Sequence, residues 1–258
     1  MTHLAHVDHG TGPPVVLLHG GALDHRLWEP QIPELARTHR VVAPDLRGHG
    51  RSPTPTGPFR HADDVAALLR ALDTGPATLV GISLGARTAV DVALEAPELV
   101  AGLVVSGAGA GEPQFRDPAT RDLLARWAAA EQAHDRVAWT TTFLQLGFGP
   151  GRALADVDPD VLARVRAMTD DTIDHHVPAG APVAPVPLPD AVARARGLEV
   201  PVLAIIGLLD APDHRRLARE LAETVRDGRV VEIPGAGHYP NLERPREFTD
   251  ALLAFLRA

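Results

Sequence analysis

The chain has 258 residues, 33 acidic against 25 Lys and Arg, a formal net charge of −8, 45% hydrophobic and 22% charged residues, and no cysteine. That length suits one large domain or a core carrying an insertion, and the acidity argues against nucleic acid or an anionic membrane as the main partner. The missing thiols exclude disulfides, a cysteine nucleophile and a thiolate metal site.

Short Val- and Leu-rich runs recur after turn signals at residues 15–18, 41–43, 78–80, 103–105, 202–206 and 230–233. Continuous apolar runs of this length predict strands buried on both faces of a parallel sheet. Amphipathic stretches of helical length lie between them, at 30–38, 61–73, 86–96, 212–227 and 244–257. The alternation predicts βαβ units with right-handed crossovers, an α/β fold with a mostly parallel, doubly wound sheet flanked by helices. The rhythm breaks over 112–196, where helical stretches at 118–134, 136–146 and 159–176 precede a Pro-rich passage at 178–189. This region is expected to be a helical cap, inserted into a core made of 1–111 and 197–258 and rejoined to it by a stiff, extended linker. No N-terminal stretch joins basic residues to a continuous apolar run, and none nears the length of a membrane span. A cytoplasmic protein off the membrane is therefore expected, as a monomer or homodimer.

The most informative segment is Gly81-Ile82-Ser83-Leu84-Gly85, set between an apolar run and a helical stretch. Gly-x-Ser-x-Gly between strand and helix is a tight elbow whose flanking positions have no room for side chains and whose serine hydroxyl is pushed out at the sheet's carboxyl edge. With only three serines and 23 glycines, about 0.02 such matches are expected by chance. Ser83 is read as a nucleophile.

The elbow stands among four other blocks in order: His19-Gly20-Gly21, residues 45–52 (Asp-Leu-Arg-Gly-His-Gly-Arg-Ser), Gly207-Leu208-Leu209-Asp210, and Gly235-Ala236-Gly237-His238-Tyr239-Pro240. Over nearly its whole length the chain resembles the α/β-hydrolase fold family. Residues 1–12 are short and are expected to lack the usual first strand, so about seven strands are expected rather than eight. The resemblance is specific for the fold and weakly specific for substrate.

A serine hydroxyl needs an adjacent base, and the base needs a group that orients it. Among 13 histidines, His238 lies in a Gly-rich loop after the run 230–233, at the sheet edge that carries the elbow; its alternative is a cap for the last helix. Asp210, after the run 202–206, completes the Ser…Asp…His order of the family. Asp213 is the competing acid, but Pro212 is expected to open a helix and leave Asp213 as a favourable charge in its first turn. The place after the preceding core strand holds Ser106-Gly107 and no carboxylate. His19 reads as part of a scaffold and oxyanion block, and His49 as support for a Gly-rich turn. His3, His6, His9, His175 and His176 show no metal-ligand spacing, so no metal is assigned. The resemblance implies an oxyanion hole from the backbone N–H groups of Leu84 and Gly21, with Ala22 as fallback. Arg47 is expected to bond locally. Trp127, Trp139 and Phe143 are candidates for a moderately apolar pocket, or simply for cap packing.

The expected activity is acyl transfer to water, from a small or medium carboxylic ester or lactone and without a cofactor. The same three residues also suit carbon–carbon bond hydrolysis, thioester cleavage or acyl transfer to another acceptor, and a ligand-binding receptor with a hydrolase shell is the alternative outside catalysis.

Overall fold

The six apolar runs become the five inner strands and one edge strand of a seven-stranded sheet in the computed structural model, which describes residues 3–177 and 183–257. The strands are β1 (His6–His9), β2 (Pro14–Leu18), β3 (Arg40–Pro44), β4 (Ala77–Ile82), β5 (Val100–Ser106), β6 (Val202–Gly207) and β7 (Gly228–Ile233), in the spatial order β1-β3-β2-β4-β5-β6-β7. All neighbours pair in parallel except β1, which runs antiparallel to β3. The N-terminal segment therefore does hold a strand, contrary to the expectation for residues 1–12. It escapes an apolar pattern because it is an edge strand whose last two residues, Asp8 and His9, are exposed.

The helices are α1 (Ile32–Leu35), α2 (His61–Ala71), α3 (Leu84–Glu95), α4 (Pro118–Gln132), α5 (Arg136–Phe148), α6 (Pro159–His176), α7 (Ala191–Arg194), α8 (Pro212–Thr224), α9 (Pro240–Glu243) and α10 (Pro245–Leu256). Alternate residues of each inner strand feed two separate cores. Val16, Leu18, Leu79, Leu103, Val105, Ala204 and Ile206 join the layer of α2, α3 and α8. Val15, Leu17, Val80, Ile82, Val104, Leu203 and Ile205 join Trp28, Phe248 and Leu252 on the other face. Burial on both sides explains why these strands are apolar at every position rather than at every second one.

Helices α4 to α7 fall between β5 and β6. Asp117, Asp135 and Asp158 cap α4, α5 and α6, each accepting a backbone N–H from the first turn. Leu144 and Phe148 of α5 and Val165 and Met168 of α6 enter the second core, so this insertion is packed into the body of the protein. Residues 178–182 of the Pro-rich passage lie outside the described residues. Beyond them, Val186 N–H donates to Phe59 O at 2.8 Å, tying the returning chain to the start of α2.

The strand order reverses between β2 and β4: β3 lies outside β2, and the chain crosses back to lay β4 on β2's other side. Ligands of such sheets bind at this switch, beyond the carboxyl ends of the strands. The loop after β2 carries Gly20 and Gly21, and the turn after β4 carries Ser83.

Candidate active site

The elbow is crowded on both flanks. A Cβ on Gly81 would lie 2.3 Å from the backbone of Gly85, and one on Gly85 would lie 2.1 Å from Leu18 O. Only glycine allows β4 to turn into α3 against β2. Ser83 at the apex adopts φ 54° and ψ −113°, a conformation costly for a residue with a side chain. Its hydroxyl makes no capping bond to α3, and its N–H donates to Ser106 O at 2.8 Å.

His238 and Asp210 meet at the adjoining loops. His238 Nδ1 lies 2.7 Å from Asp210 Oδ2, and both side chains are buried. Leu209 N–H donates to Ala236 O at 2.8 Å, which joins the two loops through their backbones. The imidazole sits over Gly107, where an added Cβ would stand 2.3 Å from Cε1 and 3.3 Å from Nε2. Ser83 and His238 thus both rest on the Ser106-Gly107 turn that ends β5. Burial alone would raise the Asp210 carboxyl, but the facing imidazoles of His238 and His214 outweigh it and hold it well below the usual carboxylate range. Burial pushes His238 below the ordinary imidazole value against the upward pull of Asp210, leaving it a neutral base near pH 7. With an ionised carboxylate at Nδ1, the proton lies on that nitrogen and Nε2 is the acceptor.

His214, which the sequence reading passed over, also bonds Asp210: its Nδ1 is 2.9 Å from Oδ1. The sequence signal was the Asp-x-x-x-His spacing from Asp210 into the first turn of α8. Asp213 points elsewhere. Its Oδ2 accepts the N–H groups of Arg116 and Asp117 at 2.7 Å each, and its Oδ1 accepts from Arg216 at 3.1 Å. It holds the entry to the insertion against α8 instead of orienting His238.

Gly20 borders the elbow, since its added Cβ would lie 3.7 Å from Ser83 Cβ. Gly21 faces open space, with nothing within 4 Å of an added Cβ, and an added Cβ on Gly20 would make only ordinary contacts, the nearest at 3.6 Å. Leu84 is the first residue of α3, so its N–H has no intrahelical acceptor and is available. The aromatic side chains of α4 and α5 engage one another. Trp139 stacks on Phe143 at 5.5 Å, and Trp127 lies 5.0 Å from Trp139 and 5.8 Å from Phe143.

The insertion reaches the histidine loop directly. Gly147 O at the end of α5 accepts His238 N–H at 3.1 Å. A Cβ on Gly147 would lie 2.6 Å from the Tyr239 ring. Glu243 accepts Gly237 N–H at 2.7 Å and pairs with Arg152 of the insertion.

The remaining candidates are structural. His19 is fixed neutral, donating from Nδ1 to Gly20 O at 2.7 Å and accepting Leu46 N–H at Nε2 at 2.9 Å. Arg47 bonds Asp64 of α2 and lies over the Phe59 ring at 5.0 Å. Among the described residues, metal-type ligand atoms come within 4.8 Å of one another in two groups, Asp210/His214/His238 and Asp24/His25/Asp45. In each group an Asp carboxylate already accepts from imidazole Nδ1.

The model of the alpha/beta hydrolase fold matches residues 13–245. The chain is 33% identical to a pimeloyl-[acyl-carrier protein] methyl ester esterase of Chromobacterium violaceum, over 96% of this chain and 95% of that protein. It is 31% identical to a 2-(acetamidomethylene)succinate hydrolase of Mesorhizobium japonicum, over 97% and 90%. A thermophilic esterase from Thermogutta terrifontis superposes with a TM-score of 0.77 at 28% identity, over 98% of this chain and 93% of that one. By motif, topology and relatedness, the chain belongs to the alpha/beta hydrolase fold family.

Proposed function

We propose that the protein is a serine hydrolase that cleaves a small or medium, moderately apolar carboxylic ester or lactone through an acyl-enzyme on Ser83. The observation that carries this reading is the buried Asp210–His238 bond, whose imidazole lies over the same Ser106-Gly107 turn that accepts the N–H of Ser83, itself held at φ 54°. In the reaction, His238 Nε2 takes the Ser83 proton as Oγ attacks the carbonyl carbon. The N–H groups of Leu84 and Gly21 receive the developing oxyanion, each worth about 3 kcal/mol of barrier. His238 returns the proton to the leaving alcohol, then activates the water that frees the acid. Asp210 fixes the imidazole tautomer throughout. No step draws on a cofactor or a metal. The helical insertion, with Trp127, Trp139 and Phe143, acts as the cap over an apolar acyl site. Esterases among the relatives support the ester class, and a free acyl-enzyme hydrolysed by water needs no second substrate.

The test is covalent labelling by a fluorophosphonate together with turnover of short-chain p-nitrophenyl esters. Wild-type protein should be labelled and turn over continuously; Ser83→Ala should fold normally and lose both. Turnover by Ser83→Ala near the wild-type level would remove the reading.

A further inference from the structure

Asp210 serves two imidazoles, not one. Its Oδ2 accepts from His238 Nδ1 at 2.7 Å, while its Oδ1 accepts from His214 Nδ1 at 2.9 Å and from Ala211 N–H at 2.7 Å. The two rings lie face to face, with centres 4.2 Å apart and planes 31° apart. We infer that His214 is a positioning residue for the catalytic carboxylate, pinning the Asp210 plane so that Oδ2 stays on His238. The inference rests on the proposed roles of Ser83, Asp210 and His238.

The geometry supports it on three counts. A carboxylate turns readily about its terminal torsion, which is broad and two-fold. Without His214, Oδ1 would keep only the adjacent amide, too near in the chain to fix the plane. Next, an ionised carboxylate requires N–H at Nδ1 of both rings, so His214 donates from Nδ1 and its Nε2 points away from Asp210. Last, His214 is itself held. It sits in the first turn of α8, Asp213 beside it is bonded to the backbone of the insertion, and Phe115 meets its ring edge-on at 5.4 Å. The start of the cap is thereby linked to the carboxylate that aligns the base. Partners of this kind, one step removed from the reacting atoms, typically cost 10–100-fold when lost, because sub-ångström placement governs the chemistry.

The experiment measures kcat and KM on a p-nitrophenyl ester for wild type, His214→Leu, His214→Asn, Asp210→Asn and Asp210→Asn/His214→Leu, with a thermal melt for each. The Asn amide nitrogen occupies the place of Nδ1 and keeps the donor; Leu fills the volume without it. Leu should lower kcat about 10–100-fold with little change in KM. Asn should recover most of that loss, and in the Asp210→Asn background the Leu change should cost less than about 3-fold. Equal losses in both backgrounds, failure of Asn to rescue, or a Leu variant within about 2-fold of wild type would overturn the inference. Proton NMR supplies an activity-independent readout: wild type should show two far-downfield imidazole N–H resonances from donors to Asp210. His214→Leu should delete one and shift the other, and an unmoved His238 resonance would also overturn the inference. Should wild type and Ser83→Ala both lack turnover, the hydrolase reading fails, and the NMR result still decides whether His214 and His238 share the carboxylate.

Discussion

The serine backbone makes the site costly to build. A non-glycine residue at φ 54° and ψ −113° persists because Gly81 and Gly85 on its two flanks let β4 and α3 pack closely against each other and against the Leu18–His19 backbone. The return is a residue presented at the sheet's carboxyl edge, where the Ser106-Gly107 turn accepts the Ser83 N–H and lies under the His238 ring. Around that base, residue identity separates two acids three positions apart. Asp210→Asn keeps the shape of the side chain but presents an amide to His238 Nδ1, favouring the wrong tautomer. Turnover should fall by about three to four orders of magnitude with the melting temperature nearly kept, measured by ester kinetics and calorimetry. Asp213→Ala should do the reverse. It strands the N–H groups of Arg116 and Asp117, costing about 1–3 kcal/mol of stability, while turnover falls far less than in Asp210→Asn. If the kinetic losses come out in the opposite order, Asp213 is the acid and the assignment is wrong. The placing of the candidates Ser83, Asp210 and His238 was legible because each follows a strand at the same sheet edge. His214 was not, since its meaning depends on how α8 leaves the Asp210 loop, and helix-start geometry is not written in spacing alone.

Among the elements, the inner strands and long helices could be read from periodicity, whereas β1 could not, because a polar edge strand carries no apolar signature. The reach of α5 was also hidden. Nothing in the pattern of 136–148 says that its last turn abuts the histidine loop, yet Gly147 accepts His238 N–H and lies under the Tyr239 ring. The segment between β5 and β6 is thus part of the frame that holds the His238 loop. A methyl at Gly147 would press on a fully enclosed aromatic ring in the residue next to His238. Gly147→Ala should therefore cost about 1–3 kcal/mol by overpacking and lower kcat about 10–100-fold. Gly151→Ala, where an added Cβ meets nothing within 4 Å, serves as the control and should leave kcat near wild type. Equal kcat for the two variants would mean that the cap does not set the position of the base.

At the scale of the whole molecule, the buried imidazoles decide how the protein answers acid. Burial lowers His19, His49, His61 and His238, His61 to about 3, so the folded state refuses protons that the unfolded chain accepts below about pH 6.5. His19 already uses Nε2 as an acceptor and His61 Nδ1 has no partner, so neither ring has a place for a second proton. Asp91 opposes this. Burial raises it to about 6, and it takes up a proton in the folded state before the unfolded carboxyl does. His25, raised by its bond to Asp45, is charged in both states below pH 6.5; its contribution is fully present there and fades only as pH rises through its folded value. Each lowered imidazole therefore leaves the unfolded state with more bound protons than the folded state below about pH 6.5, Asp91 counts in the opposite sense, and each whole proton of difference changes stability by about 1.4 kcal/mol per pH unit. Stability should therefore fall as pH drops below about 6.5, where four lowered imidazoles outnumber the one raised carboxyl. Urea midpoints at pH 7, 6, 5.5 and 5 measure this directly. His61→Gln should flatten the slope by about 1.4 kcal/mol per unit, because the substituted side chain no longer titrates in either state. A midpoint unchanged from pH 7 to 5 would show that the buried rings take up protons in place, which the enclosed ring of His19, bonded at both nitrogens, has no geometry to allow.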